Sequence, residues 1–115
     1  MALTSLNLLI KDITDSLIIS LLSSKMKLND NFLIHDTGNG EMLIPVGEET
    51  KKFHGVIKLN ETGSEIVHLL ENDDLSMDAL LNHFYESYPD DNKDMIKESV
   101  ISFINKLREV NAITD

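Results

Sequence analysis

Gly55-Val56-Ile57-Lys58-Leu59-Asn60-Glu61-Thr62-Gly63-Ser64-Glu65-Ile66-Val67-His68-Leu69-Leu70 changes periodicity within a few residues. Its first five residues, GVIKL, form a short β-prone run that reads as a strand. Thr62-Gly63-Ser64-Glu65 has the form of a capping box, with Thr62 accepting from the Glu65 backbone N–H while Glu65 reaches back. Ile66, Val67, Leu69 and Leu70 then supply the buried side of a short helix ending near Glu71. A strand that runs directly into a capped helix points to an α+β arrangement.

Upstream, Asn31–Asp36 (NFLIHD) and Glu41–Val46 (EMLIPV) are apolar runs separated by Thr37-Gly38-Asn39-Gly40. Gly and Asn tolerate the positive φ of a tight turn, so this is a hairpin signal. Pro45 cannot donate to a ladder and belongs near the end of pairing or on a bulge. The polar stretch Gly47–Lys52 reads as a loop, and Gly55–Leu59 completes a three-stranded meander. Downstream, Ser76 starts a second helix with Asp78 in its first turn. Its apolar side is Met77, Leu80, Leu81, Phe84 and Tyr88, and Pro89 stops it. A third helix runs from about Asn92 to Val110 with a stripe at Ile96, Val100, Phe103, Leu107 and Val110. Residues 1–25 repeat Leu and Ile at three and four residues (Leu6, Leu9, Ile10, Ile13, Leu17, Leu21), as an amphipathic helix capped by Thr4 or Ser5 would. The expected fold is α+β: an antiparallel three-stranded meander followed by three helices, with an extra N-terminal amphipathic helix. Two segments are expected, an extension over 1–25 and a body over 26–115.

Charge supports that division. The 115 residues carry 20 acids against 10 bases, a net charge of −10, and no Cys or Trp. Residues 1–25 are neutral, so the excess acid lies in the body, densest from Glu71 to Asp94. This balance disfavours nucleic-acid binding, which draws on Lys and Arg. Without Cys, disulfides, thiol catalysis, zinc–thiolate sites and iron–sulfur ligation are excluded. Lys11, Asp12 and Asp15 interrupt the N-terminal apolar run, so neither a secretory signal nor a membrane span is expected. A cytoplasmic protein is the expectation.

Organised chemistry is not visible. His35, His54, His68 and His83 share no metal-binding spacing, and His68 reads as a helix-surface residue. No GxSxG, Walker A, GxGxxG or HExxH motif occurs. The acid run between the helices lacks the alternating spacing and terminal Glu of a calcium loop and reads as a solvated face. A non-enzyme with no cofactor is therefore expected.

Three motifs together resemble a known family. Leu59-Asn60-Glu61-Thr62-Gly63, with Ile66 and Leu69-Leu70, is similar to the L-N-x-T-G-x-x-I-W-x-L-L signature of PqqD-like proteins. Leu43-Ile44-Pro45-Val46-Gly47-Glu48 resembles the family's V-V-P-V-G-E strand. Ser99-Val100-Ile101-Ser102-Phe103-Ile104-Asn105-Lys106-Leu107, followed by Asn111-Ala112-Ile113, resembles its D-V-x-x-F-L-x-x-L-x-x-x-G-L-L helix. The resemblance covers about residues 26–113. Val67 replaces the usual aromatic residue, Ser99 the usual Asp, and Asn111 the terminal Gly. Asn tolerates left-handed geometry, so the last cap is expected to survive.

The resemblance implies a winged-helix-like domain, a peptide chaperone of the wider group of RiPP recognition elements. It would bind the leader of a ribosomally made precursor peptide as a strand added to the third strand, against the last helix. It would then present that peptide to a modifying enzyme, radical SAM in type. The expected peptide-binding residues are Gly55, Val56, Ile57 and Lys58 on the strand, and Lys97, Ile101, Ile104 and Arg108 on one flank of the last helix. On that flank, Ile101 and Ile104 either anchor apolar leader side chains or are wider core. Residues 1–25 either extend the core, occupy the leader groove in cis, or pair two copies as a homodimer. The competing reading is a protein–protein adaptor of the same fold with no leader ligand. A winged-helix DNA-binding regulator is disfavoured, because its recognition helix should be basic.

Overall fold

The computed structural model describes residues 24–52 and 55–114. Strand β1 (Lys25–Leu28) is followed by β2 (Phe32–Asp36), β3 (Glu41–Pro45), a 3-10 turn at Gly47–Lys51, and β4 (Ile57–Leu59). Helix α1 (Glu61–Asn72), strand β5 (Leu75–Ser76), helices α2 (Met77–Ser87) and α3 (Lys93–Glu109), and strand β6 (Ile113–Thr114) complete the order. The fold is thus α+β, with three helices and two small antiparallel sheets.

The hairpin signal is realised. β2 and β3 pair antiparallel from Phe32↔Pro45 to Asp36↔Glu41. The turn closes through Thr37 N–H to the Gly40 carbonyl at 2.9 Å, with Gly38 N–H donating to Asp36 Oδ1 at 2.8 Å. Gly38 and Gly40 have φ of 88° and 142°, the region a side chain disfavours. Pro45 stands at the end of pairing, beyond Leu43, the last β3 residue that β4 reaches. That position spares the sheet a missing donor. The third strand is shorter than Gly55–Leu59: only Ile57–Leu59 pairs, and Gly55 lies in a bend. The expected loop at 47–52 is mostly a turn of 3-10 helix, Gly47–Lys51.

The second sheet departs from the expected order of strands followed by helices. β1 lies between β5 and β6, in registers Met26↔Leu75 and Leu28↔Ile113. Its partners are two residues long, too short to leave a period in the sequence. Lys25 opens β1 and so belongs to the body; the expected helix over the preceding residues lies outside the described residues.

The helix caps are local and mostly legible. Ser76 Oγ accepts from Ala79 N–H at 3.0 Å, and Asn92 Oδ1 accepts from Asp94 and Met95 N–H. The cap of α1 is one turn boundary earlier than expected. Asn60, not Thr62, holds it, with Oδ1 accepting from Gly63 N–H at 2.7 Å. Asn caps as well as Thr, and capping at 60 adds Glu61 to the first turn, where the helix dipole favours an acid. Glu65 is thereby released from a capping box and meets His83 of α2 at 2.8 Å.

Asn111, at φ 64°, ends α3 as expected of a glycine substitute. Ala112 N–H donates to the Leu107 carbonyl and Asn111 N–H to that of Arg108, the two bonds of a Schellman motif. Ala112 and Leu107, which flank the motif, are both fully buried. One core unites Leu43 of the meander, Met26 and Ile113 of the second sheet, and the helix residues Ile66, Val67, Leu70, Leu80, Phe84, Val100, Ile104 and Leu107. Val67 is fully buried, so the smaller residue at the family's aromatic position still fills a core place.

Candidate functional site

β4 sits at one end of the order β2-β3-β4, so among the described residues it is paired on one side only. Its other edge carries backbone donors and acceptors available to an added strand. Beside it runs an open groove of about 530 Å³, lined by Ile57, Lys58 and Asn60 and by Phe103, Lys106, Leu107, Glu109 and Val110 of α3.

Local chemistry explains each wall. Leu59 is buried and Lys58 exposed, the alternation of a strand with one face on the core. Asn60 stops the strand and starts α1, so the groove's upper end is a helix cap. Gly63, in the first turn of α1, lets α3 approach closely: a Cβ there would lie 3.1 Å from Phe103 Cζ. Phe103 is thereby held as a half-buried wall, not a core plug. Lys58 and Lys106 outnumber Glu109 among the groove's charged residues, so the groove is locally cationic on a protein of net charge −10. It suits a ligand that brings carboxylates and apolar side chains together.

The structure brings Ile57 and Lys58 to this groove and leaves Gly55 and Val56 exposed just ahead of β4. The expected helix residues lie elsewhere. Ile104 is fully buried in the core, which removes it as a surface anchor. Lys97 and Ile101 line a shallower face with Asp94, Glu98, Ser102 and Asn105, which meets the groove at the shared residues Lys106 and Glu109, and Arg108 is exposed and does not line the groove. At about 100° per residue, Phe103, Lys106 and Val110 occupy the opposite flank of α3. Both flanks carry two apolar residues and at least one cation, so periodicity alone does not choose between them. Phe103 and Val110, expected in the core stripe, line the groove with Ile57 and Leu107.

Ionisable side chains elsewhere serve as struts. His68 Nε2 meets the Glu41 carboxylate at 2.8 Å, tying α1 to the start of β3, so this histidine does more than cover a surface. His83 and Glu65 tie α2 to α1. Tyr88 stacks on Phe84 with centroids 6.1 Å apart. The Glu65 carboxylate, aided by desolvation, Glu61 and Asp91, holds the Tyr88 hydroxyl above its usual range. Among the described residues no three His, Asp or Glu side chains converge as a metal site, and no helix is long and apolar enough to cross a membrane.

An open-edged antiparallel strand alongside a helix groove, within a small α+β domain, defines a binding module by its architecture. The sequence gives that module a family: residues 42–113 match coenzyme PQQ synthesis protein D (PqqD), and the chain belongs to the PqqD family. PqqD family proteins are non-catalytic chaperones of PQQ biosynthesis that bind the precursor peptide. The matched span runs from β3 through β6 and so contains every residue of the groove. No curated protein and no solved structure matches the chain.

Proposed function

We propose that this protein binds the leader of a ribosomally made precursor peptide by adding it as a strand to the open edge of β4. The leader then lies along α3 in a winged-helix-like domain whose wing is the β2–β3–β4 meander. The bound peptide is presented to a modifying enzyme, radical SAM in type. The observation that carries this reading is the open edge of β4 beside the groove of Ile57, Phe103, Lys106 and Val110. Backbone bonds to β4 supply affinity that is indifferent to sequence, while the groove selects side chains. Phe103 and Val110 take apolar leader residues, and Lys58 and Lys106 take carboxylates.

The test is titration of the full chain with peptides from short reading frames encoded beside its gene. Backbone amides of Ile57–Leu59 should shift, and Lys106→Glu should weaken binding about tenfold, the size of one well-placed charged contact (about 1.4 kcal/mol). Lys97→Glu, on the other flank, should leave affinity unchanged. No ligand among those peptides would favour the adaptor, and equal effects of the two reversals would refute the groove.

A further inference from the structure

A second groove lies on the same flank of α3, toward its N-terminal half. It encloses about 380 Å³ between α1, α2 and α3, and Thr62, Phe84, Tyr88, Asp91, Met95 and Val100 are among its lining. The contact of Gly63 with Phe103 stands between it and the β4 groove, with Asn60 facing one and Thr62 the other. Met95 is 68% and Tyr88 40% exposed, so two of the four large exposed hydrophobic residues described are on this one groove. Isolated apolar side chains on a surface are ordinary, but a shared apolar groove marks an interaction site.

Its rim is acidic, although His83 engages the other oxygen of Glu65 at 2.8 Å. Asp91 lines it, Glu65 holds the Tyr88 hydroxyl at 3.5 Å, and Glu61 and Asp91 act on the same hydroxyl. None of the described lining residues is basic. Lys93, the nearest base in sequence, sits over the Tyr85 ring at 5.6 Å and not over Tyr88. An apolar floor with an acidic rim complements an apolar side chain flanked by Lys or Arg. A second copy would bring a net −10 to that rim, which disfavours self-association there.

We infer that the groove of Tyr88, Met95 and Val100 docks a cationic amphipathic segment of the protein that receives the presented peptide. The identity of that partner rests on the proposed function; the groove itself does not. The two grooves then divide the labour along α3. The cationic one holds the leader and the acidic one holds the receiver, with both brought to one side of the domain.

The test uses the full-length, isotope-labelled chain and two probes, a Leu/Lys amphipathic helical peptide and its Leu/Glu counterpart. Only the Leu/Lys peptide should bind, with amide shifts centred on Tyr88, Asn92, Met95 and Ser99 and an affinity that falls with salt. Met95→Lys and, independently, Ser99→Lys should weaken it about tenfold or more, while Lys106→Glu has no effect on it. Both substituted sites are exposed, so the fold should persist. No binding, shifts spread over the acids between residues 71 and 78, or an unchanged affinity in both variants would overturn the inference. So would concentration-dependent self-association abolished by Met95→Lys, which would make a second copy the occupant. Leader affinity, measured in the same variants, separates failure here from failure of the proposed function.

Discussion

Replacing Gly63 with Ala sets two effects of known size against each other. Gly63 is in the first turn of α1, where Ala is favoured over Gly by up to about 1 kcal/mol. The new Cβ would stand 3.1 Å from Phe103 Cζ, 3.2 Å from Phe103 Cε2 and 3.1 Å from Asn60 Oδ1. The oxygen is the end of a capping side chain and can yield by a few tenths of an ångström. The ring must tilt into the β4 groove, and overpacking of this kind costs about 1–3 kcal/mol. Gly63→Ala alone should therefore destabilise by about 1 kcal/mol. In a Phe103→Ala background only the yielding contact with Asn60 Oδ1 remains, and the same substitution should stabilise by about 0.5 kcal/mol. Urea unfolding of the four proteins in the cycle resolves a coupling of this size, since uncoupled sites add to within about 0.3–0.5 kcal/mol. If Gly63→Ala has the same sign in both backgrounds, Phe103 is not what excludes a side chain from position 63. If the proposed function holds, a leader peptide should also bind more weakly to Gly63→Ala than to the parent, because the displaced ring narrows the β4 groove.

Asn111→Gly should stabilise by about 0.5–1 kcal/mol and Asn111→Ala destabilise by about 1 kcal/mol, because φ 64° suits Gly and penalises a Cβ; thermal unfolding decides, and equal effects would deny the left-handed cap. Glu65→Gln removes the largest influence on Tyr88 and should bring its ionisation back toward the ordinary 10.0 in a near-ultraviolet alkaline titration. The sign follows from linkage: the folded protein holds that proton more tightly than the unfolded chain, so the contribution is full below pH 10.0 and is lost as pH rises through the raised value. Glu65→Gln should flatten this alkaline loss, and an unchanged Tyr88 titration would refute the assignment. Met26→Ala should cost about 2–5 kcal/mol in chemical unfolding, since Met26 is 1% exposed; a loss under 0.5 kcal/mol would place β1 outside the core.

What could be read from the sequence was local. The hairpin turn at Thr37–Gly40, Pro45 at the end of its ladder, Ser76 and Asn92 as caps and Asn111 as a left-handed stop each depend on residues within a few positions of one another. The misplaced α1 cap was also local, but Asn60 and Thr62 compete with similar chemistry and the winner is set by where β4 must end. The strands β1, β5 and β6 left no readable period, because two to four residues become a strand only through partners far along the chain. Which flank of α3 faces the groove was hidden for a related reason. Helix periodicity identifies Val100 and Leu107 as inward, yet which neighbouring flank meets β4 depends on the hand of packing, a tertiary property. So Ile57 and Lys58, expected on the strand, do line the groove beside β4, while its other walls, Phe103, Lys106 and Val110, stood among expected core and surface positions.

The position of β1 between β5 and β6 also governs the timing of assembly. The meander and α1 can form from residues 32–72 as a run of near neighbours. β1, although synthesised earlier than all of them, has no strand to pair with until Leu75 and then Ile113 have been made. During that interval β1 has helix α1 to pack against but no strand on either side, beside a Leu- and Ile-rich N-terminal stretch. Pairing Leu28 with Ile113 joins residues far apart in the chain, a kind of contact that carries loop-closure entropy and slows folding. The edges of β1 consequently stay open to other chains until β6 has been made, and a circular permutant that places β1 after β6 should fold faster without altering either groove.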